Sequence, residues 1–258
     1  MSAINPAVHP LIALAQLYQA YLERPTVQDI SDHDDMFVKG LEGGRQHYFN
    51  VGRSAIDMII GALLLGKKSV VGSILDLPCG GGRVTRHLQS LFPDAELYVS
   101  DLDRQKEAFV IARFEALGIR PNPHFELAPE RTFDLIFVGS LVTHFDEASF
   151  RRAVDWFLAS LSTDGVLVMT THGRRHDRQQ SHGQWIEPEL WAPARRDFQA
   201  KGFGYADYPF LPGYGLSACS PSWLMKLVET KNDVRVLSFQ EFAWDDHQDV
   251  IVMQRRAV

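Results

Sequence analysis

The sequence predicts a doubly wound α/β sheet of seven strands, mostly parallel with an antiparallel last strand, preceded by a helical cap. Three observations carry that expectation. From residue 69 to 171, continuous apolar runs alternate with stretches of helical periodicity, the pattern of buried parallel strands joined by crossover helices. At residues 74–84 an apolar run enters a triple-glycine turn and leaves as a helix, the local grammar of nucleotide-binding crossovers. At the end of the chain, two apolar runs are separated only by a few polar residues. So short a link permits a hairpin and forbids a parallel crossover.

The elements follow in order. Residues 1–68 are expected to form a helical cap, with Leu11, Leu14, Tyr18, Tyr21 and Leu22 at helical spacing before Pro25. Residues 31–35, polar and acidic, suit a loop or a cap. A second helix carries Ile56, Ile59, Ile60, Leu63 and Leu64 and stops at Gly66. The methyl-rich run 69–77 is the first strand, and residues 83–92 are a helix with Val84, Leu88, Leu91 and Phe92 on one side. Residues 96–100 form the second strand, 103–117 a helix, 124–127 a short third strand and 133–139 the fourth. Asp146 caps a helix over 148–161 that buries Phe150, Val154, Phe157 and Leu158, and 165–171 is the fifth strand. Residues 172–220, rich in Gly, Pro, Arg, Tyr and His, read as an irregular insertion on the acceptor side of the sheet. A helix over 221–230 and strands over 234–242 and 249–254 complete a domain expected to span 69–258.

Composition narrows the functional classes. The chain has 258 residues, 45% hydrophobic and 22% charged, so a core of ordinary size is available. A net charge of −6 argues against nucleic acid as the main partner. Two cysteines exclude a disulfide scaffold and fit a reducing cytoplasm, and the ten histidines show no tight ligand spacing, so no metal site is expected. No run reads as a membrane span, and residues 1–6 lack the features of a signal peptide.

The glycine turn distinguishes two ligands. A dinucleotide fingerprint needs a third glycine where Thr85 stands. The run Leu75-Asp76-Leu77-Pro78-Cys79-Gly80-Gly81-Gly82 instead resembles the first motif of class I S-adenosylmethionine-dependent methyltransferases, whose fold is Rossmann-like. The departure is Pro78, where that family usually has Gly; proline fixes φ and removes an N–H. Asp101, about 20 residues beyond the turn, matches the acid that ends the family's second strand and binds the ribose, with Asp103 as its alternative. The segment from Phe133 to Leu141 matches the family's fourth strand, and the closing antiparallel hairpin is a family habit. No third-strand acid matches the adenine contact; Glu126, Leu127 and Ala128 are the nearest residues.

The resemblance implies a cofactor site of Asp76, Cys79, Gly80, Gly82, Asp101, Leu102, Gly139 and Ser140, with Tyr48 and Arg53 reaching in from the N-terminal cap. Capping stands beside cofactor binding for Asp76 and Asp101, small-residue packing beside it for Cys79, and surface packing beside it for Tyr48 and Arg53. His144 and His172 follow the fourth and fifth strands at the carboxyl edge of the sheet. They are candidates for a general base or an acceptor contact, against the plainer reading of hydrogen-bonded structural histidines. Tyr205, Tyr208 and Tyr214 are candidates for an acceptor pocket or for loop packing.

Methyl transfer from a sulfonium requires alignment and exclusion of water more than acid–base chemistry. A hydroxyl acceptor adds the need for a base, which His suits. The runs Gly139-Ser140-Leu141-Val142-Thr143-His144 and Trp244 through Val250 loosely resemble methyltransferases that accompany glycosyltransferases in surface-glycan pathways. A small-molecule or glycan hydroxyl is therefore the expected acceptor. A nicotinamide-dependent oxidoreductase, and a non-catalytic cofactor-binding partner in a glycan-synthesis complex, stand as the other readings.

Overall fold

The computed structural model describes residues 9–122 and 124–256; residues 1–6 lie outside that range. A seven-stranded sheet forms the centre. Its strands are β1 (Ser73–Asp76), β2 (Glu96–Val99), β3 (Leu117–Gly118), β4 (Phe133–Val138), β5 (Leu161–Thr171), β8 (Val234–Trp244) and β9 (Gln248–Arg255). They lie in the order β3-β2-β1-β4-β5-β9-β8. The first five are parallel, and β9 runs antiparallel to both neighbours, with Val168 opposite Val252. The expected architecture is therefore the observed one. The order reverses at β1 and β4, and there the carboxyl ends of the strands open a crevice.

Two apolar layers sandwich the sheet. On one face, α1 (Pro10–Glu23), α2 (Gly44–Gly66), α3 (Thr85–Leu91) and α4 (Arg104–Phe114) bury Ile56, Ile59, Leu63, Leu88 and Val110 against Ile74, Val99, Val168 and Val252. On the other, α5 (Glu147–Ala159) and α8 (Pro221–Glu229) bury Phe150, Phe157, Trp223 and Leu224 against Leu75, Ile136, Leu167 and Ile251. Successive residues of β1, β4, β5 and β9 thus serve alternate cores, which is why those strands read as continuous apolar runs. Among the described residues, α2 is the one helix long and apolar enough to cross a membrane. Here its apolar stripe lies on the sheet.

Three expectations need correction. The third strand is Leu117–Gly118, not 124–127. The helix expected to run to 117 stops at Phe114, because Glu115 turns left-handed, and the chain then pairs with Tyr98 and Val99. Residues 124–127 form a turn whose Phe125 packs on Phe145, Trp156 and Phe157. The segment 172–220 is not irregular. It contains α6 (Arg174–Gln180), α7 (Pro188–Lys201) and an antiparallel pair, β6 (Phe203–Tyr208) with β7 (Leu211–Cys219). These enclose a small third core around Ile186, Trp191, Ala194, Leu216 and Ala218.

Candidate functional site

The site is built on the turn after β1. Gly80 and Gly82 adopt φ of +52° and +84°, a region that glycine enters without strain. Beside Gly82, a Cβ would lie 2.6 Å from the Phe114 ring, so the turn also needs the missing side chain for packing. The turn closes with Gly82 N–H donating to the Cys79 carbonyl (3.0 Å), and Cys79 N–H donates across to Ser100 at the end of β2 (3.0 Å). The turn forms despite Pro78.

Asp101 is tied into the same loop. Its Oδ2 accepts from Gly80 N–H (2.8 Å) and its Oδ1 from Asp103 N–H (2.8 Å). Asp103 in turn caps α4, accepting from Gln105 N–H (2.9 Å) and Lys106 N–H (3.3 Å). The two acids thus divide the duties that the sequence left open. Asp103 caps the helix, and Asp101 faces a cavity.

That cavity, of about 310 Å³, lies at the carboxyl edge over the switch point. Pro78, Cys79, Gly80, Gly81 and Val84 line it from the turn after β1, and Asp101, Leu102 and Lys106 from the segment after β2. Gly139, Ser140, Leu141 and His144, from the loop after β4, line it together with Tyr214 and Trp244. Ser140 takes a φ of +59°, unfavourable for a residue with a side chain. It is held by its N–H on Thr170 Oγ1 (2.8 Å) and by its Oγ, which accepts from Gln248 Nε2 (2.9 Å). Cys79 lies on the wall but is buried, and burial pushes its thiol pKa up, away from reactivity.

Five of the expected residues are not on this wall. Asp76 is buried beneath the turn, where its carboxylate accepts from Thr85 Oγ1 (2.6 Å). Burial raises its pKa to about 7; the Thr85 hydrogen bond and Arg83 oppose the rise, and Asp101 adds to it. Gly82 packs behind the turn on Phe114. Tyr48 is buried and donates to Asp34 Oδ2 (2.6 Å). Arg53 is exposed and lines a separate hollow of about 500 Å³ with Arg24, Arg45 and His87. His172 is buried behind the wall, its ring stacked on His176.

In place of these, the structure brings Asp34, Asp35, Met36 and Arg83 to the cavity. Asp34 lies over the turn so closely that a Cβ on Gly81 would be 2.4 Å from its Oδ2. The fully buried Arg86 fixes this approach. Its guanidinium donates to Val27 and Asp29 carbonyls (2.9 and 2.8 Å), to Gly82 and Gly81 carbonyls (2.8 and 3.3 Å) and to Tyr48 Oη (3.2 Å). One side chain thereby fastens the segment after α1 to the glycine turn. Sequence reasoning passed over Asp34 because an acid in a polar loop carries no periodic signal. Arg83 was the more legible of the two, being a cation placed directly after three glycines. Of residues 126–128, Leu127 and Ala128 line a different hollow, beside Tyr98 and Arg131.

Among the described residues, His144 is the histidine that lines the cavity. Its Nδ1 lies 2.9 Å from the Gly215 carbonyl, and its ring stacks on Tyr214 at 4.7 Å. A carbonyl only accepts, so Nδ1 carries the proton and Nε2 is left basic. Burial lowers the pKa, with the Gly215 contact opposing, which favours the neutral ring.

The chain matches the family model described as "Methyltransferase domain" over residues 53–203. No curated protein sequence matches it. Among solved structures, it is similar to an S-adenosylmethionine-dependent methyltransferase from Clostridium acetobutylicum ATCC 824, at 13% identity and a TM-score of 0.55. The match covers 81% of this chain and 92% of that one. It is also similar to DesVI of Streptomyces venezuelae, at 16% identity and a TM-score of 0.55, over 88% of this chain and 99% of that one. A third similar structure is the N-methyltransferase NodS of Bradyrhizobium japonicum WM9 in complex with S-adenosyl-l-homocysteine. It shares 14% identity at a TM-score of 0.51, over 95% of this chain and 99% of that one.

Proposed function

The chain belongs to the S-adenosylmethionine-dependent methyltransferases, and from that premise we propose that it methylates a hydroxyl of a small molecule or glycan, with His144 as general base. The observation that carries the proposal is His144 itself, a neutral imidazole with Nδ1 committed to a carbonyl, on the wall facing the glycine turn.

The residues on the cavity wall fit the cofactor. The lining combines basic groups (Arg83, Lys106), carboxylates (Asp34, Asp35, Asp101), backbone of the glycine turn and apolar side chains. Arg83 is suited to the amino-acid carboxylate and Asp34 to the ammonium, while Asp101 accepts the ribose hydroxyls beside Leu102 and Met36. Asp76 acts from below by holding Thr85 at the start of α3, and Tyr48 acts by orienting Asp34. When bound, the cofactor supplies an electrophilic methyl on a sulfonium with a good leaving group. The protein's part is to align the acceptor, exclude water and take one proton at His144 Nε2. Tyr214, stacked on that imidazole, supplies a flat surface of the kind a sugar ring packs against. Two buried free thiols accord with work in a reducing cytoplasm.

The oxidoreductase alternative loses its footing with the family assignment. Thr85, which displaces the third glycine of a dinucleotide fingerprint, spends its hydroxyl on Asp76.

Calorimetry with S-adenosylhomocysteine and turnover on a panel of sugar and phenolic hydroxyl acceptors test the proposal together. Asp101→Ala is expected to weaken S-adenosylhomocysteine at least about tenfold. His144→Ala is expected to leave that affinity unchanged and to lower kcat about 10²–10³-fold. Full turnover by the His144 variant would refute the base. Turnover only on amines would refute the acceptor class.

A further inference from the structure

Two histidines four residues apart, His172 and His176, meet a third, His247, from much later in the chain. His172 follows the last residue of β5, His176 lies in α6, and His247 lies in the turn between β8 and β9. Their ring nitrogens include one from each residue lying within 4.8 Å of the other two. His172 and His176 are stacked almost parallel, with centroids 3.6 Å apart and planes inclined by 4°. The His247 ring meets both at a steep angle, 5.2 and 5.8 Å away.

Hydrogen bonding does not account for this arrangement. His176 is fully buried, and among the described residues neither of its ring nitrogens has a hydrogen-bond partner; His172, 4% exposed, has none there at Nδ1. A buried polar atom left without a partner costs about 1–3 kcal/mol, and this pair of rings holds three such atoms. Aromatic stacking explains part of the contact, since Trp185 lies 4.9 Å from His176 in a nearly parallel plane. Stacking satisfies ring faces, however, and leaves the in-plane lone pairs unused.

We propose that His172, His176 and His247 bind a divalent transition-metal ion of the zinc class. Imidazole nitrogen is a donor of the softness that zinc, cobalt, nickel and copper prefer, and magnesium or calcium would not choose it. Zinc–nitrogen bonds of about 2.0–2.1 Å at a tetrahedral centre place the ligand nitrogens about 3.3 Å apart. The three ring nitrogens lie within 4.8 Å of one another, so an ion would draw them together by up to about 1.5 Å and turn the two stacked rings out of parallel. Three histidines leave one coordination position open, the pattern of metal sites that also hold water or substrate. The three side chains come from the end of β5, from α6 and from the β8–β9 turn, so the ion would fasten together the elements that back the cavity wall at Trp244. This inference stands independently of the acceptor assignment and of methyl transfer.

The test uses untagged protein, stripped with a chelator and then dialysed. Zinc chloride titrated by calorimetry is expected to bind at one ion per chain and to raise Tm by several degrees. Cobalt chloride in place of zinc is expected to give visible ligand-field absorption. His247→Ala, a change in a half-buried turn, is expected to weaken zinc at least 100-fold and to abolish the Tm increment. His176→Gln, read the same way, is the second variant. Overturning results are zinc uptake well below one per chain in the folded wild-type protein, or uptake and thermal shift undiminished in His247→Ala.

Discussion

At the scale of the residue, Asp76 shows what kind of acid information a sequence carries. An acid at the end of a buried strand before a glycine turn is legible in the sequence, but its depth is not. The structure buries it, with Thr85 as its hydrogen-bond partner and Asp101 and Arg83 as the charged groups that act on it. Its pKa, raised from 3.8 to about 7 by burial, has a consequence for stability. The folded protein retains a proton that the unfolded chain sheds, so stability falls as pH rises from about 4 to about 7 and is then level. A shift of that size corresponds to at most about 4 kcal/mol for a fully buried group. Urea midpoints of wild type and Asp76→Asn, compared between pH 5 and 8, should differ in slope over that window, with the variant the flatter. Parallel profiles would show that Asp76 does not titrate there. Asp101 lies on the cavity lining, where its carboxylate also serves as the partner of Gly80 N–H.

At the scale of the element, strands buried on both faces and long amphipathic helices announced themselves through their periodicity. The elements that escaped notice are short or built from exceptions. β3 is two residues long, too short for any pattern. The β6–β7 pair is rich in Gly and Tyr, and its outer half is exposed, so alternation is weak. Helix α2 was recognised from its apolar stripe, yet its most demanding contact comes from a glycine. A Cβ at Gly52 would lie 2.2 Å from the Arg83 carbonyl and 2.7 Å from the His87 ring, whereas one at Gly61 on the same helix would meet nothing within 4 Å. Gly52→Ala is therefore expected to destabilise by about 3 kcal/mol and to weaken S-adenosylhomocysteine through Arg83. Gly61→Ala should stabilise by about 0.5–1 kcal/mol through helix propensity alone. Urea unfolding of both variants checks the pair, and equal effects would remove the claim of close packing at Gly52.

At the scale of the whole molecule, the division into a cap and a catalytic domain at residue 68 has to answer to the core. Ala55, Ile56, Ile59, Ala62 and Leu63 of α2 are all at most 1% exposed, in one cluster with Leu88, Val166 and Val252. A chain of residues 69–258 would lose α1 and α2 from their face of the sheet and leave α3 and α4 alone to cover it. It is expected to aggregate or to show no cooperative thermal transition, by circular dichroism and light scattering; a soluble fragment that melts cooperatively would establish the cap as a separate unit. The sheet, its topology and its switch point were legible because they follow from chain connectivity. The cavity wall was only half legible, because Asp34, Tyr214 and Trp244 reach it from three remote parts of the chain.

The placement of β9 bears on how the protein is made. Strand β9 is not an edge: it is inserted between β5 and β8 and hydrogen-bonded on both sides. Until residues 248–255 have emerged, β5 presents an open, strongly apolar border, and β8 has no place in the sheet. Vectorial synthesis can assemble β1 to β5 in order, but this closing step depends on a long-range encounter. A nascent chain stalled short of Gln248 would thus be a sticky, incomplete particle, and a stop codon that removes β9 should be poorly tolerated.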